Sequence, residues 1–85
     1  MTTYQAEIQI MLKPSVLDPA GTAVTKALQQ QHYDGVQQVR IGKFIQLTLL
    51  APDLAQAQAQ VERICREVLT NPVIETYRFT VEAKA

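Results

Sequence analysis

The sequence predicts an α+β fold, a ferredoxin-like β-α-β-β-α-β sandwich whose four-stranded sheet carries two helices on one face. Three observations lead there. Four stretches alternate apolar and polar residues at period two, the spacing of a strand with one buried side. Two stretches set apolar residues at three- and four-residue steps behind an Asp next to a Pro, the pattern of a capped amphipathic helix. The order is strand, helix, two strands, helix, strand, and right-handed crossovers then place both helices on the same sheet face.

In the first strand, Tyr4, Ala6, Ile8, Ile10 and Leu12 alternate with Thr3, Gln5, Glu7, Gln9, Met11 and Lys13. Lys13-Pro14 ends it, because proline removes a ladder donor and restricts the residue before it. After the connection Ser15-Val16-Leu17, Asp18 is the expected N-cap and Pro19 the first helical residue of a helix running to about His32. Ala20, Ala23, Val24, Ala27, Leu28 and Gln31 form its inward stripe, with alanines small enough to let the helix lie close to a sheet. Tyr33-Asp34-Gly35 supplies the turn that follows.

Val36 to Leu50 reads as a β-hairpin turning at Gly42. Val39 and Ile41 share one face of the first arm, and Ile45, Leu47 and Leu49 share one face of the second. A two-residue loop would send these two groups to opposite faces, so parity calls for an odd loop or a bulge. A loop of Gly42, Lys43 and Phe44 pairs Ile41 with Ile45 and Val39 with Leu47.

Pro52-Asp53 starts the second helix, with Gln56 three residues after its expected cap. Leu54, Ala57, Val61, Ile64, Cys65, Val68 and Leu69 form its apolar stripe, and Asn71-Pro72 stops it. The last strand alternates Tyr77, Phe79 and Val81 with Thr76, Arg78, Thr80 and Glu82. On this reading the helix-free sheet face shows Glu7, Gln9, Met11, Gln46, Thr48, Arg78 and Thr80, edged by Phe44 and Leu50, and must meet water or another chain.

The 85 residues are expected to form a single domain, 1–85, with a modest core. Eight basic residues balance eight acidic ones, which removes the cationic excess that nucleic-acid binding requires and leaves little repulsion between copies. Self-association, as a homodimer or higher, is therefore expected. One cysteine makes no internal disulfide. No zinc-type Cys/His spacing, signal-peptide core or long apolar run is present, which points to a cytoplasmic chain without a membrane partner.

Catalysis usually needs a nucleophile beside a base, paired carboxylates, or metal ligands at coordinating spacing. None is visible, so no catalytic, cofactor-binding or metal-binding residue is expected. His32, at the end of the first helix, reads as an ordinary exposed residue. Cys65, on an apolar stripe, reads as a small buried hydrophobe. Gly42-Lys43 is no phosphate loop, since no glycine stands at the required spacing and no Ser or Thr follows the lysine. Arg40, Gly42 and Lys43 do place two cations near a permissive backbone, able to grip an anion or an acidic partner or simply to form a solvated turn. Lys13 with Asp18, and Glu75 with Tyr77 and Arg78, read as a structured loop and a solvated strand face.

Four segments carry a family resemblance. Leu12 to Gly21, Val36 to Lys43, Leu69 to Glu75 and Tyr77-Arg78-Phe79 resemble, in order, segments of the PurS family, the small subunit of phosphoribosylformylglycinamidine synthase. The resemblance implies a role in purine biosynthesis, in the ATP-dependent conversion of formylglycinamide ribonucleotide to its amidine with ammonia from glutamine. It implies two partners, a glutaminase subunit that releases ammonia and a large synthetase subunit that activates the amide, joined by a dimer of this non-catalytic chain. ATP and magnesium belong to the complex and not to this chain. Arg40, Gly42 and Lys43 become the partner-interface candidates. The competing reading is a dimeric ligand-sensing module, which would bind an effector by itself and be stabilised by it.

Overall fold

The computed structural model describes residues 1–84. Strand β1 spans Thr2–Leu12, helix α1 Pro19–Gln30, strand β2 Lys43–Ala51, helix α2 Leu54–Ile64 and strand β3 Glu75–Ala83. A π-helical turn, Cys65–Leu69, prolongs α2.

The sheet has three strands in the order β2-β1-β3, not four. Both outer strands run antiparallel to β1, with Ile8 opposite Ile45 on one side and Phe79 on the other. This is the ferredoxin-like strand order without its outermost strand. The expected hairpin is the part that does not form. No glycine has positive φ, so the chain does not reverse tightly at Gly42, and residues 36–41 continue outward without joining the sheet. Gly42 is used for its size instead. A Cβ there would overlap the Ile10 carbonyl oxygen and the Met11 sulfur.

The second departure concerns the helices. Helix α2 packs on all three strands, whereas α1 makes no extensive contact with the sheet. The core therefore lies between β1 and α2: Ala6, Ile8 and Ile10 meet Val61 and Cys65, flanked by Ile45, Leu47, Leu49, Leu69, Tyr77, Phe79 and Val81. A second cluster of Tyr4, Ala51 and Ala57 closes the far end. The alternation in β1 sorts side chains as the sequence pattern requires, with Tyr4, Ala6, Ile8 and Ile10 buried and Glu7 and Gln9 exposed.

Both helix starts form as their caps dictate. Asp18 Oδ1 accepts from Gly21 N at 3.0 Å, and Asp53 Oδ1 accepts from Gln56 N at 2.8 Å. The end of α1 is a Schellman motif: His32 N donates to Gln29 O and Tyr33 N to Leu28 O, each at 3.1 Å, with His32 at φ 70° in the position glycine usually takes. In the π-helical turn Thr70 N donates to Cys65 O, five residues back, at 3.1 Å. That widening shifts the phase of the apolar stripe, keeping Leu69 against the core while Val68 turns to solvent at 74% exposure.

Candidate functional site

Residues 13–42 form an arm around α1. Thr25 Oγ1 accepts from Val39 N at 2.9 Å, Asp18 Oδ2 accepts from Ile41 N at 3.0 Å, and Gln29 Nε2 donates to Val36 O at 3.1 Å. These bonds strap segment 36–41 along one side of α1. Gly21 permits the close approach, since a Cβ there would overlap Val39 O and the Asp18 carboxylate. The two amide hydrogen bonds to Asp18, from Gly21 and then Ile41, together with nearby Arg40, hold its carboxyl below the usual range despite partial desolvation.

At the base of the arm the three interface candidates come together. Arg40 donates from Nη2 to the Leu12 carbonyl oxygen. Gly42 lies against Ile10 and Met11, and Lys43 opens β2 with its side chain 66% exposed, its Nζ 3.9 Å from Glu75 Oε2. An open cleft of about 810 Å³ is lined by Arg40, Gly42, Lys43, Phe44, Met11 and Arg78 among others. Arg78 and Phe44 belong to the helix-free sheet face, where Arg78 Nε donates to Gln9 Oε1 at 2.9 Å and Phe44 is 55% exposed.

Arg78 was not grouped with the candidates by sequence reasoning. The signal that finds it is strand parity, because Gln9 stands between Phe44 and Arg78 across the three strands. The grouping of Glu75, Tyr77 and Arg78 separates for the same reason. Tyr77 points to the helix side and donates its hydroxyl to Glu62 Oε1 at 2.7 Å, while Arg78 points to the other. Giving up that proton would break the bond to a carboxylate, so the Tyr77 hydroxyl titrates above its usual range.

The cleft joins three cations to an exposed aromatic ring. Arginine offers a planar fork to carboxylates or phosphates, and lysine a mobile point charge, so this surface suits an acidic partner that also presents apolar area. Cys65, fully buried, has its thiol pushed up first by desolvation and then by Glu62. Among the described residues no three His, Cys, Asp or Glu side chains gather in a way that could hold a metal ion, and no helix is long and apolar enough to cross a membrane.

Residues 5–83 match the family model PurS, phosphoribosylformylglycinamidine (FGAM) synthase. The chain belongs to the PurS family. A PurS subunit of FGAM synthase from Synechocystis is 57% identical over 81 residues, covering 95% of this chain and 81% of that relative. The crystal structure of Methanocaldococcus jannaschii PurS, described as one of the subunits of formylglycinamide ribonucleotide amidotransferase in purine biosynthesis, is 32% identical with a TM-score of 0.84. It covers 96% of this chain and 99% of its own. The structure of PurLQS from Thermotoga maritima contains a chain that is 29% identical, with a TM-score of 0.87, covering 96% of this chain and 100% of that one. The family resemblance read from Leu12 to Gly21 and the three later segments is thus borne out, as is the expectation of a PurS subunit of FGAM synthase.

Proposed function

We propose that this chain is the small, non-catalytic subunit of a phosphoribosylformylglycinamidine synthase in the cytoplasm, where it bridges a glutaminase subunit and an ATP-dependent synthetase subunit during purine biosynthesis. The observation that supports it best is the likeness along nearly the whole chain to the one in the PurLQS assembly. The chemistry of the reaction gives a bridge a purpose. Ammonia released from glutamine is a nucleophile only while unprotonated, and water protonates it, so two active sites held in register deliver it before it is lost. ATP and magnesium enter at the synthetase, and this chain contributes surfaces and not reacting groups. In this reading it also associates with itself.

The cleft of Arg40, Gly42 and Lys43, joined by Arg78, is the contact offered to an acidic surface on one of the two enzymes. Exposed charge pairs contribute about 0.2–1 kcal/mol each, so removing two cations weakens assembly roughly 2- to 30-fold. The double variant Arg40→Ala/Lys43→Ala is expected to keep its circular dichroism and thermal midpoint while its affinity for the partner enzymes falls, more at low salt than at high. Unchanged affinity at low salt would remove the cleft from the interface.

A further inference from the structure

We propose that the outer edge of β3 takes an extended segment of one of the two partner enzymes as an added strand, paired main chain to main chain, with an acidic side chain of that segment on Arg78. This deepens the bridging role given above and rests on it.

Strand β3 has one partner, β1. Just past the two ends of their ladder, Lys84 N donates to Thr3 O and Lys13 N donates to Ile74 O, each at 2.8 Å, in the register that sets Ile8 opposite Phe79. In an antiparallel pair, hydrogen-bonded and non-hydrogen-bonded positions alternate. The even-numbered residues of β3 therefore bond to β1, and the amides and carbonyls of Tyr77, Phe79 and Val81 point away from it. No strand, turn or side chain among the described residues takes these outward groups. What satisfies donors and acceptors repeating every two residues is another extended backbone.

The edge carries none of the devices that keep an exposed strand from pairing. Its nine residues hold no proline, and their register with β1 runs one to one, from Tyr4 and Ala83 to Leu12 and Glu75, without a bulge. Along Tyr77, Phe79 and Val81 the helix side is without charge, and all three are half-buried, so a neighbouring strand with apolar residues there completes their cover. The edge of β2 differs. In the ferredoxin-like order the place beyond β2 belongs to the stretch 36–41, which has the alternation of a strand, whereas the order ends at β3.

Charge selects the occupant. On the helix-free side the edge shows Arg78, exposed, whose Nε donates to the neutral Gln9 Oε1 at 2.9 Å. Among the described residues its guanidinium makes no ion pair with a carboxylate, in contrast to Lys43 and Arg66. Its charge is thus oriented without being neutralised, and its two Nη groups keep donors for the carboxylate of an incoming chain. Arg78 also lines the cleft of Arg40, Gly42 and Lys43, so the edge continues the surface assigned above to an acidic partner. A segment lying along β3 with an acidic residue beside Arg78 meets edge and cleft together.

Hydrogen exchange on the full chain, alone and with the matching synthetase or glutaminase in excess, tests the edge residue by residue. In the chain alone the amides of Tyr77, Phe79 and Val81 are expected to exchange fast beside slow Arg78 and Thr80. With one of the enzymes bound, those three are expected to slow by at least about tenfold. Protection of all three already in the chain alone, or no added protection once an enzyme has bound, would overturn the proposal, and the second result would leave the bridging role standing. Binding of neither enzyme would overturn both. A pair of variants isolates the backbone. Val81→Ala and Val81→Pro both lose the valine side chain, but proline alone removes the outward donor, so the folded Val81→Pro chain is expected to bind that enzyme about 2- to 10-fold more weakly than Val81→Ala. Equal affinities would refute main-chain pairing, and the exchange measurement on the wild type stands whether or not Val81→Pro folds.

Discussion

The same substitution, glycine to alanine, should act with opposite signs at different positions in this chain. A Cβ at Gly35 meets nothing within 4 Å, and no glycine has positive φ. Alanine there costs the folded state nothing and restricts the unfolded chain, so Gly35→Ala should stabilise by about 0.4–1 kcal/mol. At Gly42 the new methyl would overlap the Ile10 carbonyl, a backbone atom at the end of the central strand, as well as the Met11 sulfur. The sulfur can swing away but the carbonyl cannot, and overpacking of this kind costs about 1–3 kcal/mol. Gly21→Ala should also destabilise, by less, since better helix propensity returns up to about 1 kcal/mol against the overlap with Val39 O. Between Gly35→Ala and Gly42→Ala the separation is roughly 2 kcal/mol, or about 2 M in urea midpoint at the shallow slope of a short chain. Urea unfolding of the variants at one fixed protein concentration measures it. If Gly21→Ala and Gly42→Ala stabilised the chain as Gly35→Ala does, the close approaches at Gly21 and Gly42 would not be those of the molecule in solution.

Further outcomes follow from single side chains. His32→Gly should raise the thermal midpoint by several degrees, since glycine relieves about 0.5–1 kcal/mol of left-handed strain at the end of α1, and an unchanged midpoint in a melting scan would deny that strain. Because the folded state holds the Asp18 carboxyl below its usual 3.8, its contribution is complete above that pH and disappears as pH falls through the lower folded value. The protection of the Gly21 and Ile41 amides, measured by hydrogen exchange relative to the intrinsic rate at each pH, should therefore fall in acid for the wild type, and should already be low at neutral pH in Asp18→Ala. Burial raises the Cys65 thiol, so ionising it opposes folding and stability should decline as pH climbs past the ordinary thiol value of 9.0. Its reaction with a thiol reagent at neutral pH should track unfolding, and a fast reaction with the folded chain would contradict its burial.

What the sequence reveals of this fold is what is decided locally. Asp18 and Asp53 cap their helices because the acceptor and its amide donor are three residues apart, a relation visible in the chain itself. The face of every strand follows from period-two alternation, which is why the helix-free face is legible from Glu7 to Arg78. The hairpin fails for a reason outside the local pattern. Alternation in Val36 to Leu50 shows that both arms suit a sheet, but not that they pair with each other, and Gly42 fits a close approach as well as it fits a turn. The stripe of α1 was legible as apolar, whereas the sheet expected to cover it makes no extensive contact with that helix. Arg40, Gly42 and Lys43 stood out as a cationic tip, and Arg78 joins them only once the register through Gln9 is known. The π-helical turn at Cys65 leaves no mark in the alternation of Ile64, Val68 and Leu69, because a helix read at a fixed period cannot show where its own period widens.

The account stands most directly on the dependence of amidine formation on this chain. The matching synthetase and glutaminase would be assayed with and without it, once with glutamine and once with added ammonia as the nitrogen source. The bridging role predicts that omitting the chain abolishes most of the glutamine-dependent rate and leaves the ammonia-dependent rate largely intact. Equal glutamine-dependent rates with and without it would contradict that role.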